Sequence, residues 1–478
     1  MIRAHSVAQV RAAEEALMAT LPAGALMQRA AAGLATACAG RMGLVYGSRV
    51  ALLVGAGNNG ADALWAGARL AGRGAAVSAV LIGDPVPAAL AALLRAGGRV
   101  ADPQTALADA DLVVDGMVGI GGRGPLRETA ATLAVQGDVV VAVDVPSGVD
   151  ADTGAVEGVA VRAGLTVTFG TSKPGLHVGE GRRHAGTVHV VDIGLRPHLG
   201  EPVVEVLEDD DVDRLLPEPA AGSDKYSRGV VGIAAGSPQY GGAAVLACGA
   251  ALRAGAGMIR FVGAALPAEL VRQRWPEVVV TTVKPGDGQA VIAAGRVQAW
   301  IVGPGLGTDD GAAAVVQAVL SQDVPVLVDA DALTICAQHP QWLRDRTAPT
   351  LLTPHDGEYA RFGRDVGDDR SGAARRLAAD LGITVLLKGD ATVITDGEGP
   401  ARVNATGSPV LATAGSGDVL SGAVGALLAQ GLGTVDAGSV GAHLHGRSGV
   451  LSADGGSTSA LLVLQAWPRA VTSLRLGH

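Results

Sequence analysis

The sequence predicts an α/β protein built of two three-layer α/β/α domains. Three observations carry this expectation. Short apolar runs of strand character recur along the 478 residues and end repeatedly in glycine-rich turns. Alanine-rich, helix-like runs alternate with them, as crossover helices do in open, mostly parallel sheets. The length suffices for two or three domains with full cores. An acidic stretch over 205–219, closing on Pro217-Glu218-Pro219, divides the chain into 1–206 and 207–478.

Composition narrows the function. Hydrophobic residues make up 48% and charged ones 17%, the balance of a globular chain. A net charge of −9 without a basic stripe argues against a nucleic-acid partner. It leaves open an anionic small ligand held by backbone donors. Cys38, Cys248 and Cys336 are far apart, odd in number and lack metal spacing, so they read as core thiols in a reducing compartment. Arg3, Arg11, Glu14 and Glu15 interrupt any leader-like run. No stretch of about 18 uninterrupted apolar residues exists, and a cytoplasmic protein without a membrane partner is expected. Asparagine (Asn58, Asn59, Asn404) and lysine (Lys173, Lys225, Lys284, Lys388) are scarce, so positions that retain them are candidates for a specific need.

Taken in order, Ser6 with Gln9 fits a capping box and predicts a helix through Met18. A second helix is expected over 26–40. The run 49–54 reads as a strand entering Gly55-Ala56-Gly57-Asn58-Asn59-Gly60-Ala61-Asp62, with a helix over 63–71. This is the first βα unit of an open sheet, whose ligands bind at strand C-termini. Paired asparagines can ligate a cation or read a polar ring, and they also suit a plain tight turn. Further strands are expected over 77–82, 112–115, 139–143 and 165–169. Asp115 ends one and precedes a glycine loop; Asp144 ends the next and precedes Val145-Pro146-Ser147. Either aspartate alone could stabilise a turn. Asn59, Asp115 and Asp144 at three strand ends together suggest a site, and oxygen donors without Cys or His suit a hard cation.

The second half repeats the pattern. A strand over 230–235 leads to Gly241-Gly242-Ala243 and a helix to Arg253. Strands over 258–262, 300–302, 324–328 and 384–387 follow, three of them entering Gly303-Pro304-Gly305, Asp329 with Asp331, and Lys388-Gly389-Asp390-Ala391-Thr392. His355, in Thr353-Pro354-His355-Asp356-Gly357-Glu358, would by itself more often be a structural hydrogen-bonder. Gly415-Ser416-Gly417-Asp418 opens an apolar helix over 419–430. Small residues and helix-start N–H groups make an anion nest backed by the helix dipole. Asp418 at its mouth could cap the helix or take a proton from a bound hydroxyl, as phosphoryl transfer to an alcohol requires.

GAGNNGADAL, DGMVGIGGRG, VDVPSGVDADTG and TFGTSKPGL, in this order across most of 1–206, resemble the Rossmann-like N-terminal domain of NAD(P)H-hydrate epimerases. The resemblance implies that Asn58, Asn59, Gly60, Ala61, Asp62, Gly119, Ile120, Gly121, Gly122, Arg123, Gly124, Pro125 and Asp144 contact a hydrated nicotinamide nucleotide. It implies potassium at Asn59, Asp115 and Ser147, with Asp144 as acid/base. Ala61 and Ala63 stand where that family usually has glycine, a cost of about 1 kcal/mol if either needs φ > 0.

KYSRGVVGIAAGSPQYGGAA, VGPGLG, TPHDGE, VLLKGDATVI and LATAGSGDVLSGA, across 220–470, resemble the ribokinase-like ADP- or ATP-dependent NAD(P)H-hydrate dehydratases. This implies an adenine nucleotide on Lys388, Gly389, Asp390, Ala391, Thr392 and Gly417. The hydrate would lie on Ala243, Gly305, His355 and Asp418, with Asp418 as base and Glu358 helping to place Mg²⁺. KYSRG keeps Lys225, Ser227 and Gly229 of the family's usual wording. Together the two resemblances imply a bifunctional repair enzyme acting on NADHX and NADPHX. Alanine- and glycine-rich helices with little charge suggest a homo-oligomer. Two other readings stand beside this one: a ribokinase-type kinase whose phosphate stays on its product, and a first domain that binds without catalysing.

Overall fold

The computed structural model describes residues 1–475, which divide into two compact units, Ile2–Val204 and the residues from Glu205 onward. In the first unit seven parallel strands lie in the spatial order Arg99–Val100, Ala76–Leu81, Arg49–Val54, Leu112–Gly116, Gln136–Val143, Arg162–Phe169, Thr187–Val191. Alternate residues of one strand serve opposite layers. Val50, Leu52 and Val54 pack with Leu34, Leu64 and Leu70 of the helices Ala25–Met42 and Asn58–Ala71, whereas Ala51 and Leu53 pack with Ala106, Met117 and Ala130. Burial on both faces explains the uninterrupted apolar runs. Strand order reverses between Arg49–Val54 and Leu112–Gly116, which opens a ligand crevice at their C-terminal ends.

The capping box of Ser6 and Gln9 forms and opens the helix Val7–Met18. The next expectation needs correction. The helix after the first strand begins at Asn58 rather than 63, so both asparagines sit in its first turn, with Gly57 as N-cap. Gly60 permits this, because a Cβ there would lie 2.0 Å from the Gly55 carbonyl oxygen. Ala61 and Ala63 are helical without positive φ, so replacing glycine carries no backbone cost. The edge strand Thr187–Val191 escaped the sequence reading because its residues are mostly exposed and form no apolar run.

In the second unit, parallel strands are ordered Thr384–Leu387, Thr350–Leu352, Val326–Val328, Ala299–Val302, Val230–Ala234, Met258–Gly263, Val279–Thr282. Thr392–Thr395 and Ala401–Asn404 continue the sheet antiparallel beyond Thr384–Leu387. The order reverses between Ala299–Val302 and Val230–Ala234. The helix Ser416–Ala429 packs against the helix Gly241–Arg253 nearly backbone to backbone: a Cβ on Gly422 would meet the Ala247 carbonyl oxygen at 2.2 Å. The acidic stretch over 205–219 is no simple linker, since it contains the helix Asp209–Leu215 with its own capping box. Cys38, Cys248 and Cys336 are buried and free. No helix among the described residues is long and apolar enough to cross a membrane.

Candidate active sites

Four neighbouring strands of the first unit deliver one cluster of polar groups. Asn59 follows Arg49–Val54, Asp115 ends Leu112–Gly116, Asp144 follows Gln136–Val143, and Thr168 and Lys173 come from the end of Arg162–Phe169. Asp115 is fully buried. Its Oδ1 accepts from the Ser147 hydroxyl at 2.6 Å and the Met117 N–H at 3.2 Å, and its Oδ2 from the Ser147 N–H at 2.8 Å. Asn59 Nδ2 donates to the carbonyls of Val143 at 2.5 Å and Val118 at 3.2 Å. The Val118 N–H donates to Ser147 Oγ at 2.9 Å. Val118 therefore ties Asn59, Asp115 and Ser147 into one group. The donors are all oxygen, and every partner of Asp115 is neutral. Burial pushes the Asp115 carboxyl up to about 6 despite those hydrogen bonds. A buried carboxylate without a cationic partner, among hydroxyl and amide oxygens, fits a hard monovalent cation.

Asp144 has φ +66°, uncommon outside glycine though tolerated by aspartate. Its Oδ1 accepts from the Lys173 ammonium, from the Thr168 hydroxyl at 2.9 Å and from the Phe169 N–H at 3.3 Å. Lys173, itself fully buried, also donates to Thr168 Oγ1 at 2.8 Å and the Phe169 carbonyl at 3.2 Å. Asp62 is buried, and its Oδ1 has no hydrogen-bond partner among the described residues. Burial, with the charges of Asp144 and Glu14 added, holds the Asp62 carboxyl well above the usual carboxylate range. Glu14, on the helix Val7–Met18, is raised by burial and by Asp144, with Lys173 and Arg11 opposing. Ile120 and Gly122 are half-buried; Asn58, Gly121, Arg123, Gly124 and Pro125 form an exposed rim.

The second unit builds its site the same way. Asp329 follows Val326–Val328, Thr353 and His355 follow Thr350–Leu352, and Lys388 follows Thr384–Leu387. The helix Ser416–Ala429 starts behind Gly415, which is its N-cap at φ +84°. Asp418 thus lies in the first turn and the helix has no side-chain cap bond, so the capping role is set aside. Lys388 Nζ lies 2.9 Å from Asp329 Oδ1 and 3.4 Å from Glu358 Oε2. A Cβ on Gly417 would lie 3.6 Å from it, which puts the ammonium beside the helix's first turn. Burial works against that charge, yet Asp329 and Glu358 outweigh it and raise the Lys388 pKa. Asp329 is held further by Thr353 Oγ1 at 2.8 Å and Ser421 Oγ at 2.7 Å. Burial pushes Asp418 up to about 7; Asp329, Asp331 and Glu358 add to this and Lys388 opposes it.

His355 caps the helix Asp356–Ala360: its Nδ1 accepts from the N–H groups of Gly357 at 3.0 Å and Glu358 at 3.3 Å. The ring remains exposed enough to meet a ligand as well. A Cβ on Gly305 would come within 3.0 Å of Ala243 Cβ, so these two expected contacts are neighbours. Arg370 braces the loop that begins at Lys388, donating to the Lys388 carbonyl at 2.8 Å and pairing with Asp356 at 2.9 Å. Gly389 packs against its guanidinium. Thr392 Oγ1 donates to the Gly389 carbonyl at 3.2 Å, and Ala391 is buried beside it.

Sequence reasoning gave no role to Lys173, Thr168, Glu14, Asp329, Ser421 or Arg370. Asp329 had a usable signal, because it ends a strand as Asp115 and Asp144 do. Lys173 was visible only as one of few lysines. Asn404, the third rare asparagine, is a structural clamp: Nδ2 donates to the Ala442 carbonyl at 3.0 Å, and Oδ1 accepts from the Thr406 hydroxyl at 2.9 Å.

Comparison with solved structures places the second unit. An ADP/ATP-dependent NAD(P)H-hydrate dehydratase from Bacillus subtilis, co-crystallised with ATP/Mg²⁺, is 29% identical with a TM-score of 0.52, covering 57% of this chain and 99% of that one. A ribokinase-like superfamily protein from Enterococcus faecalis is 26% identical with a TM-score of 0.53, covering 58% and 98%. The class is therefore a two-unit α/β protein, an open parallel-sheet unit followed by a ribokinase-like one. The NAD(P)H-hydrate dehydratase family profile matches residues 231–466, and that of the YjeF-related protein N-terminus matches residues 23–175. The bifunctional NAD(P)H-hydrate repair enzyme Nnr of Mycobacterium tuberculosis is 50% identical over 444 residues, 91% of this chain and 90% of the relative. Its Mycobacterium leprae counterpart is 49% identical over 460 residues, 94% of each. The chain belongs to the family of bifunctional NAD(P)H-hydrate repair enzymes.

Proposed function

We propose that residues 1–206 interconvert the R and S epimers of NADHX and NADPHX, and that residues 207–478 dehydrate the S epimer with ADP or ATP. The observation that carries this reading is Asp418, a half-buried carboxylate pushed up to about 7 beside an ion-paired lysine at a helix N-terminus. A base poised near neutral pH, next to a cradle of N–H groups, suits proton removal from an alcohol that attacks a phosphoryl group.

The dehydration then follows from chain residues. Asp418 takes the C6 hydroxyl proton while His355, Ala243 and Gly305 hold the ring. Lys388 and the N–H groups around Gly417 hold the phosphoryl group, and the loop of Gly389, Asp390, Ala391 and Thr392, braced by Arg370, holds the nucleotide. Phosphorylation turns a poor leaving group into a good one, and phosphate expulsion restores the dihydropyridine. Mg²⁺ would screen phosphate charge. One Glu358 oxygen accepts from the His355 N–H at 2.9 Å and faces Lys388, and the other lies 3.5 Å from the His355 ring. An Mg²⁺ ion is therefore better held by phosphate oxygens and water than by Glu358 itself.

In the first unit, inversion at C6 requires loss of the hydroxyl from one face and return of water to the other, assisted by the ring nitrogen lone pair. Asp144, aligned by Lys173, Thr168 and the Phe169 N–H, is the proton acceptor for that water. Asn58, Asn59, Gly60, Ala61 and Asp62 with the loop from Gly119 to Pro125 hold the nucleotide. Potassium at Asn59, Asp115 and Ser147 would supply charge that orients it. The same reading places the chain in the cytoplasm as a homo-oligomer, without nucleic-acid or membrane partners.

The test is incubation with mixed hydrates, Mg²⁺ and ADP or ATP, followed by chromatography of both epimers. Free phosphate with recovered reduced-nicotinamide absorbance is expected. A stable phosphomonoester would favour a kinase instead, and binding without epimer exchange would make the first unit a binding module.

A further inference from the structure

Inversion at C6 has a symmetry that one aspartate does not satisfy. Whichever epimer enters, a hydroxyl must be protonated on one face and a water deprotonated on the other, and the roles exchange in the reverse direction. Such a reaction calls for two carboxyl groups, one carrying a proton and one ionised. Asp144 has the surroundings of the ionised one: an ammonium, a hydroxyl and an N–H converge on its Oδ1.

Asp62 has the opposite surroundings. It is 6% exposed, it sits on the first turns of the helix that opens with Asn58 and Asn59, and its Oδ1 lacks any hydrogen-bond partner. A buried carboxyl oxygen left unpaired is costly in a resting protein, and a buried carboxylate without a cation costs more. Both problems are smallest if the group is the neutral acid and its free oxygen meets a ligand. The charged groups facing it agree. Asp144 comes from the end of Gln136–Val143 and Glu14 from the helix Val7–Met18; both are acidic, and the cation among them, Lys173, is paired with Asp144.

We propose that Asp62 is a second catalytic residue of this site, a neutral carboxylic acid serving one face of the ring while Asp144 serves the other. This rests on the epimerase reading above. In one direction the Asp62 proton passes to the C6 hydroxyl, and the C6–O bond breaks with its electron pair leaving in water. The N1 lone pair forms the N1=C6 bond. Water then adds from the opposite face, its proton passes to Asp144, and the N1=C6 pair returns to nitrogen. The reverse direction uses Asp144 as acid and Asp62 as base, so no external reductant or oxidant enters.

The experiment first measures whether the wild-type chain interconverts R- and S-NADHX in potassium buffer; failure there removes the epimerase reading, not this inference alone. Given wild-type activity, Asp62→Asn should lower epimerase kcat by about 10²–10⁴-fold, a larger effect than its change in KM. It should also abolish the alkaline limb of the pH–rate profile. Dehydration of S-NADHX by the same chain should be unchanged. An Asp62→Asn rate close to wild type, or a slow variant that keeps the alkaline limb, would overturn the proposal. If that variant does not fold, Glu14→Gln serves: removing the negative charge should move the alkaline limb to lower pH, and an unmoved limb would overturn it.

Discussion

At the scale of single residues, Asp418 shows how a site can be costly to its own fold. Its carboxyl is held near 7, above the ordinary value of 3.8, chiefly by burial and then by Asp329. The folded state therefore binds this proton more tightly than the unfolded chain, and stability falls as pH rises between those values. Asp418→Asn should abolish dehydration and leave epimerisation intact. It should also raise the melting temperature at pH 8 by removing a penalty of at most ~4 kcal/mol, with the gain vanishing near pH 4. A melting curve unaffected by pH would refute the assignment. Lys173 makes the complementary case. Lys173→Met leaves Asp144 as a buried carboxylate without its cation, a loss of about 3–5 kcal/mol. Adding Asp144→Asn should recover part of that loss in denaturant melts while activity stays absent.

Among elements, glycine decides how closely helices approach the sheet and one another. Gly422 lets Ser416–Ala429 lie against the backbone of Gly241–Arg253, and Gly60 does the same for the first helix turn against Gly55. Gly422→Leu should cost about 1–3 kcal/mol or more by overpacking. It should depress dehydration and spare epimerisation, a split readable by assaying both activities on one preparation. Central strand positions were legible from apolar runs because both faces of those parallel strands are buried, whereas edge strands such as Thr187–Val191 are exposed. Helix starts were less so. The helix expected at 63 begins at Asn58, and the one expected at 419 begins at Ser416, because small polar residues in a first turn look like loop until packing is known.

For the molecule as a whole, two compact units each place their chemistry at the C-terminal ends of neighbouring parallel strands. If they act in sequence through a released S epimer, Asp144→Ala alone should leave the R epimer behind in short assays. Mixing Asp144→Ala with Asp418→Asn chains should then restore complete repair. Residual R epimer in the mixture, followed by chromatography, would mean that the intermediate is not shared through solution.

The sequence by itself determined the α/β class, most of the central parallel strands and the motifs that mark the family, while short and edge strands such as Val279–Thr282, Thr392–Thr395 and Ala401–Asn404 went unread. These depend on local periodicity and on residues adjacent in the chain. Tertiary structure decided which charges face each other. Lys173 on Asp144 and Asp329 on Lys388 join strand ends remote in sequence, and Glu14 acts on Asp62 from another helix; no spacing rule announces them. Burial then set which carboxyls keep their protons, since desolvation depends on everything packed around a group and not on its neighbours in the chain.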